Sequence, residues 1–236
     1  MNCEVKINCN IGNIDKIFQI SDIHLRHYKR HKEYFEVFQE LYEQINLHFD
    51  SSSIIVISGD IIHTKNHLVP EQIMMFADFL TSLADIGPTV IFAGNHDAML
   101  NNRQRLDSIT PTVKALNNPN IFYLKKSGLY EMGENIIFSN MSVFDPISEY
   151  IRADSINSHN RKKIALYHGV VEDAITDGGY RFKGGNVSKN FFDGFDMVLL
   201  GDIHAIQTIQ KYEIETMEID KSELELYLKA GWEIKI

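Results

Sequence analysis

Five short segments carry residue types that bind cations or move protons, and each follows a run of apolar residues. Ile17-Phe18-Gln19-Ile20 runs into Ser21-Asp22-Ile23-His24, and Ile54 to Ile57 runs into Ser58-Gly59-Asp60-Ile61-Ile62-His63. Val90-Ile91-Phe92 leads to Ala93-Gly94-Asn95-His96-Asp97, Ile164 to Tyr167 leads to His168-Gly169, and Met197 to Leu200 leads to Gly201-Asp202-Ile203-His204. A single Asp-x-His or Gly-Asp is ordinary loop chemistry. Five such elements in order, each at the end of an apolar run, point to one site. Carboxylate, amide and imidazole donors without thiolate suit Mn²⁺, Mg²⁺, Fe or Zn²⁺ in a reactive centre, not a structural zinc. Two such ions about 3.5–4 Å apart clamp the attacking and leaving oxygens of an in-line phosphoryl displacement. The expected chemistry is therefore hydrolysis of a phosphate ester.

The apolar runs read as buried strands. Residues 32–49 place Tyr34, Phe35, Phe38, Leu41, Tyr42 and Ile45 at helical spacing. Residues 71–86 follow Pro70, carry Ile73, Met74, Phe76, Ala77 and Leu80, and stop before Gly87-Pro88. Strands alternating with helices predict an α/β sheet, parallel in this part. Residues 121–143 read as shorter, antiparallel strands, and 172–195 as loop. Ligands of such sheets bind beyond the carboxyl ends of the strands, which is where all five segments fall. An Asp and a His at i and i+2 of an extended segment point the same way. Glycines before Asp60, Asn95 and Asp202 are expected to permit the turn out of each strand.

Composition narrows the class. With 236 residues, 44% hydrophobic and 23% charged, the chain is an ordinary globular protein rather than a disordered or fibrous one. No apolar run approaches a membrane span, and no membrane partner is expected. Two cysteines, Cys3 and Cys9, make no disulfide framework, and no secretory signal precedes them. The expected location is cytoplasmic, or a host cytoplasm if the source is a virus or phage. Lys and Arg number 23 against 32 Asp and Glu, a net charge of −9. That offers no global attraction for polyanions, so positive charge at the site must be local, from bound cations or a few arginines.

In this order, Asp-x-His, Gly-Asp, Gly-Asn-His-Asp, His and Gly-x-x-His resemble the motif set of the calcineurin-like metallophosphoesterase superfamily, across residues 14 to about 209. Gly59-Asp60-Ile61-Ile62-His63 resembles the SbcD/Mre-type nucleases of DNA double-strand-break repair. Protein serine/threonine phosphatases carry Gly-Asp-x-Val-Asp-Arg-Gly instead, with an arginine that has no counterpart here. Asn101 to Ser108 also resembles the nuclease side, with a phage or large-virus branch as the nearer likeness.

The resemblance implies a β-sandwich of two mixed sheets flanked by helices, with a dinuclear metal site at the strand C-terminal ends. It implies that Asp22, His24 and His204 hold one ion, that Asn95 and His168 hold a second, and that Asp60 bridges them. His96 would protonate the leaving oxygen and His63 would position the phosphate while a metal-bridging hydroxide attacks. At the fifth motif Asp202 stands where the family has a metal-binding histidine, and it is carried as a candidate ligand. The two divalent ions are expected to be Mn²⁺. DNA is the implied substrate, met by Arg26, Arg103 and Arg105, with an SMC-like coiled-coil ATPase or a second copy as partner. A small-substrate phosphodiesterase or phosphatase, and a shortened, weakly active scaffold subunit, remain as alternatives. Residues 1–209 are read as the catalytic domain. Residues 210–236 are read as a short strand–helix extension packed on it through Leu224, Leu228 and Trp232.

Overall fold

The structure, a computed structural model, describes residues 4–204 apart from 8, 10, 28, 66, 103, 104, 176–178, 185 and 186. The expected 210–236 extension and Arg103 lie outside the described residues. In chain order the elements are β1 (Glu4–Lys6), β2 (Lys16–Ile20), α1 (His31–His48), β3 (Ser53–Ser58), α2 (Pro70–Ile86), β4 (Thr89–Phe92), α3 (Thr110–Leu116), β5 (Ile121–Tyr123), β6 (Gly128–Met132), β7 (Ile136–Met141), β8 (Lys162–His168) and β9 (Met197–Gly201).

Two sheets stack. The first, ordered β2-β3-β4-β5, is parallel throughout. The second, ordered β1-β6-β7-β8-β9, is parallel except for the β6–β7 pair. Among the described residues the mixed strand directions lie in the second sheet, and the first is parallel, as the alternation of strands with helices predicts. Of the antiparallel pieces expected over 121–143, β6 and β7 are such a pair. β5 departs from the expectation, lying parallel to β4, because the connection through α3 is long enough to cross over.

Side-chain alternation sets the layers. Along β3, Ile54 and Val56 face the second sheet, where Val90 and Phe92 meet Phe138, Leu166 and Leu199. Ile55 and Ile57 face the other way, with Ile91, onto Phe38 and Ile45 of α1 and Phe76, Phe79 and Leu83 of α2. Both faces of this strand are buried, which is why it reads as a continuous apolar run. The buried stripe of α2 is Met75, Phe76, Phe79, Leu80 and Leu83. The expected faces hold at Tyr34, Phe38, Leu41, Tyr42 and Ile45 of α1 and at Phe76, Ala77 and Leu80 of α2, whereas Phe35, Ile73 and Met74 are exposed. The outer face of the second sheet has no long helix over it among the described residues. Leu129, Ile137, Met141 and Tyr167 are covered there by Ala153, Val171, Val187 and Phe192, from 3-10 turns and irregular chain. No helix among the described residues is long and apolar enough to cross a membrane.

Asp107, just before α3, ties that helix to the chain after β5. Its carboxylate accepts from the Ile109 N–H (2.9 Å), the Thr110 N–H (2.6 Å), Thr110 Oγ1 (2.6 Å) and Lys125 Nζ (2.7 Å). Burial works against its charge, but Lys125 and the Thr110 donors outweigh it and hold the carboxyl below the usual carboxylate range. A depressed carboxylate pKa contributes stability that is present above the unfolded-state value and is lost as pH falls through the folded one. Asp107→Asn is expected to cost roughly 1–3 kcal/mol at neutral pH, with the difference from wild type shrinking below pH 3.8. Thermal melts at the two pH values check this, and a constant difference would refute the ionic account.

Candidate metal centre

Past the ends of β2 and β3 the two chains stay hydrogen-bonded. The Asp22 N–H donates to Gly59 O (3.2 Å), His24 to Asp60 O (2.9 Å), Leu25 to Ile61 O (2.8 Å), and His63 back to Leu25 O (3.0 Å). The path is not extended, contrary to the expectation from spacing. Asp22 (φ 55°), His24 (51°), Asp60 (51°) and Asp202 (72°) are all left-handed, a conformation that costs a non-glycine residue roughly 1–3 kcal/mol. Alternate left-handed residues, rather than strand pleating, bring Asp22 and His24 to one side.

Of the three glycines expected to permit turns, one does so and two act differently. Gly59 takes φ 84° and makes a turn. Gly94 and Gly201 are needed for room: a Cβ on Gly94 would lie 2.1 Å from Asp60 Oδ1, and one on Gly201 would lie 2.2 Å from His168 Nδ1.

The segments converge. Asp22, His24 and His204 form one cluster, Asp22, Asp60 and His168 a second, and His24, His63 and His96 a third, with donor atoms in each within 4.8 Å of one another. His24 Nε2 lies 3.9 Å from Asp22 Oδ1 and 3.7 Å from Asp60 Oδ2. His168 Nε2 lies 3.3 Å from Asp60 Oδ1, and His204 Nε2 lies 3.4 Å from Asp22 Oδ1. The His24 and His96 rings meet edge to face at 4.8 Å, and His63 stacks on His96 at 5.5 Å. The half around Asp60 and His168 is closed, with side-chain exposures of 1% and 0%. The half around Asp22 and His204 is open, at 15% and 49%.

Asp202 enters through its backbone. Its N–H donates to Asp22 Oδ1 (3.1 Å) and Oδ2 (3.2 Å), and its carboxylate belongs to none of the donor clusters among the described residues. Burial raises the Asp202 pKa, and the nearby Asp60 and Asp22 charges add to that against His168 and His204. Arg26 and Arg105 are both exposed. The stretch from Arg26 to Lys32 is rich in basic residues, and in it Arg30 pairs with Glu33 and Lys32 with Glu36, so part of that charge is neutralised locally.

Hydrogen bonds aim these groups. His168 Nδ1 donates to the Ser58 carbonyl at 2.6 Å, leaving Nε2 toward Asp60. Burial opposes protonation of His168, but Asp60 and the Ser58 carbonyl outweigh it and raise its pKa to about 9. His24 and His63 are lowered, by burial first. Asp60 accepts the His96 backbone N–H at 2.7 Å.

Two supporting residues escaped the sequence reading. Asp97, fully buried, accepts the N–H groups of Gly94 (3.0 Å), Ile62 (3.0 Å) and Ile61 (3.4 Å), and so fastens the second segment to the third. Burial pushes its carboxyl up to about 6 against those donors. Its place inside Gly-Asn-His-Asp was the available signal. Lys65 Nζ donates to the Asn95 carbonyl at 2.7 Å, and nothing in its spacing marked it.

The donor set fits divalent cations on one structural observation. The Asn95 carboxamide lies 3.1 and 3.3 Å from the Asp60 oxygens and 3.2 Å from His168 Nε2. With its nitrogen turned inward it donates to them. With its oxygen inward, Asn95 joins the Asp60 oxygens and a neutral His168 Nε2 as a set of lone pairs that a bound cation would satisfy. Such cations would be held between the carboxylates and imidazoles, beside His96 and His63.

Gly94→Ala should disturb this geometry directly, because the added methyl meets the Asp60 carboxylate. Cation affinity is expected to fall by about 10–100-fold, as when a group that orients a ligand is lost. Equilibrium dialysis, with circular dichroism to verify the fold, checks this; unchanged affinity would show that Asp60 takes no part in holding the ion.

Comparison with known proteins agrees with this geometry. An uncharacterized protein of Acanthamoeba polyphaga mimivirus is 42% identical over 204 residues, covering 82% of this chain. The chain spans about 15% of the length of that relative. The family model described as calcineurin-like phosphoesterase matches residues 15–205, a stretch that contains all the segments converging on the cluster. The chain therefore belongs to the calcineurin-like phosphoesterase family, metal-dependent hydrolases of phosphate esters.

Proposed function

We propose that the chain hydrolyses phosphodiester bonds of DNA, as an SbcD/Mre-like exo- or endonuclease that uses Mn²⁺. The observation that carries this reading is the His63–His96 pair, stacked beside His24 in the imidazole cluster. A phosphate monoester brings two negative charges and is commonly met by cationic side chains. A diester brings one, and its alkoxide leaving group needs a proton. His96 suits that need, since its Nδ1–H donates to the His63 carbonyl at 2.8 Å and leaves Nε2 to carry and release a proton.

In this reading Asp22, His24 and His204 would hold one cation and Asn95 and His168 the other, with Asp60 as a further ligand between these groups. When bound, the cations supply positive charge against the phosphate and make water acidic enough to react near neutral pH. His96 protonates the leaving oxygen, His63 orients the phosphate, and the Asp202 N–H fixes Asp22. Oxygen donors from Asp22, Asp60 and Asn95 beside the imidazoles favour Mn²⁺ over Zn²⁺. The open side over Asp22 and His204 leaves room for a polymer, with Arg26 and Arg105 near flanking phosphates. Few cationic contacts mean weak duplex binding, so an SMC-like ATPase or a second copy would supply the surface that holds DNA.

The test is cleavage of end-labelled single- and double-stranded DNA with Mn²⁺. His96→Ala is expected to keep its bound cations by metal analysis yet lose about 10²–10⁴-fold in rate. Equal rates for wild type and His96→Ala would refute the assignment. Arg105→Glu is expected to slow DNA cleavage more than hydrolysis of a small chromogenic diester.

A further inference from the structure

A cavity of about 290 Å³ opens between the loop after β2 and the first turns of α1. Its lining includes Ile23, His24, Arg26, Arg30, Tyr34 and Val37. His24 is the shared wall: the same imidazole turns Nε2 toward Asp22 and Asp60. An occupant of the cavity would therefore lie directly beside a phosphate held at the cluster.

The lining is matched to a planar ring on a charged ester. Tyr34 is half-buried, and its hydroxyl donates to the His24 carbonyl at 2.7 Å, which holds the phenol ring in place. Ile23 adds a partly buried apolar wall, and Val37 leaves an apolar side chain 59% exposed. Arg30 is neutralised by Glu33 at 2.5 Å. Arg26 is exposed and has no carboxylate partner among the described residues. Its guanidinium side chain lines the cavity together with His24, which belongs to the imidazole cluster.

We propose that this cavity is a nucleoside subsite, taking the base and sugar attached to the reacting phosphate, with the base against Tyr34, Ile23 and Val37 and with Arg26 on a phosphate oxygen. The proposal rests on the diester reading above and deepens it, because it names the surface that receives the nucleoside next to the reacting phosphate. Both an aromatic face and apolar edges are sequence-tolerant supports for a base, so discrimination among bases is not implied.

The experiment compares methyl p-nitrophenyl phosphate with the p-nitrophenyl ester of thymidine 5′-phosphate. Both release the same chromophore, so they differ only in the group that stays behind. Wild type is expected to favour the thymidine ester in kcat/KM by about tenfold or more, the scale of one base–aromatic contact. Val37→Trp fills the cavity from an exposed position and should bring that ratio near one, mainly through KM. Arg26→Gln should reduce the ratio in part. Leu47→Trp, on the same helix at a position 72% exposed, should leave it as in wild type.

A second measurement separates this proposal from the diester reading. Binding of thymidine 5′-monophosphate with Ca²⁺, followed by calorimetry, should weaken about tenfold in Val37→Trp. Turnover of neither ester would overturn the diester reading, while calorimetry would still decide the subsite. A wild-type ratio near one, or nucleotide binding unchanged in Val37→Trp, would overturn the subsite.

Discussion

Asp22 and Asp60 share a donor cluster with the buried His168, and the repulsion between their charges is what the surrounding structure must contain. Two like charges about 4 Å apart near a protein surface repel by about 4 kcal/mol, and burial of Asp60 removes the water that would screen it. The protein answers with directed donors. The His96 N–H points at Asp60, the Asp202 N–H at Asp22, and His168 lies between Asp60 and the Ser58 carbonyl. Bound cations complete the neutralisation.

Holding these donors in place explains features that otherwise look costly. Four left-handed aspartate and histidine residues follow strand ends, where the chain must turn side chains inward while its backbone still pairs with its neighbour. Asp97 is buried to tie three N–H groups of two adjacent segments. Gly94 and Gly201 leave out a side chain so that Asp60 and His168 can approach the backbone. The strain is carried by the sandwich beneath, whose middle strand β3 is buried on both faces between the second sheet and the helices.

The site is asymmetric, and the asymmetry bears on function. Asp60 and His168 lie at the closed inner end, which favours firm ion binding. Asp22, His24 and His204 form the open end, and the Tyr34–Arg26 cavity adjoins it through His24. That cavity is lined by Ile23, Tyr34, Val37, Arg26 and the Arg30–Glu33 pair, on the side of α1.

Residue order alone determined a good deal here. The runs at Ile54 to Ile57 and Val90 to Phe92 declared buried parallel strands, because a strand covered on both faces has no polar alternation. The segments from Asp22 to His204 declared one site, because parallel strands deliver their carboxyl ends to the same edge. Other features were not legible. That α2 buries Met75 and exposes Met74 depends on how the helix seats on β3 and β4, which neighbouring apolar residues in the sequence do not distinguish. The parallel placement of β5 depends on a crossover, and the left-handed turns at Asp22, His24 and Asp60 depend on pairing between segments far apart in the chain. The backbone role of Asp202, the buried fastening by Asp97 and the Lys65–Asn95 contact likewise arise only when separate loops meet. Local sequence sets periodicity and donor chemistry, whereas orientation at the site is decided by packing and hydrogen bonds between distant segments.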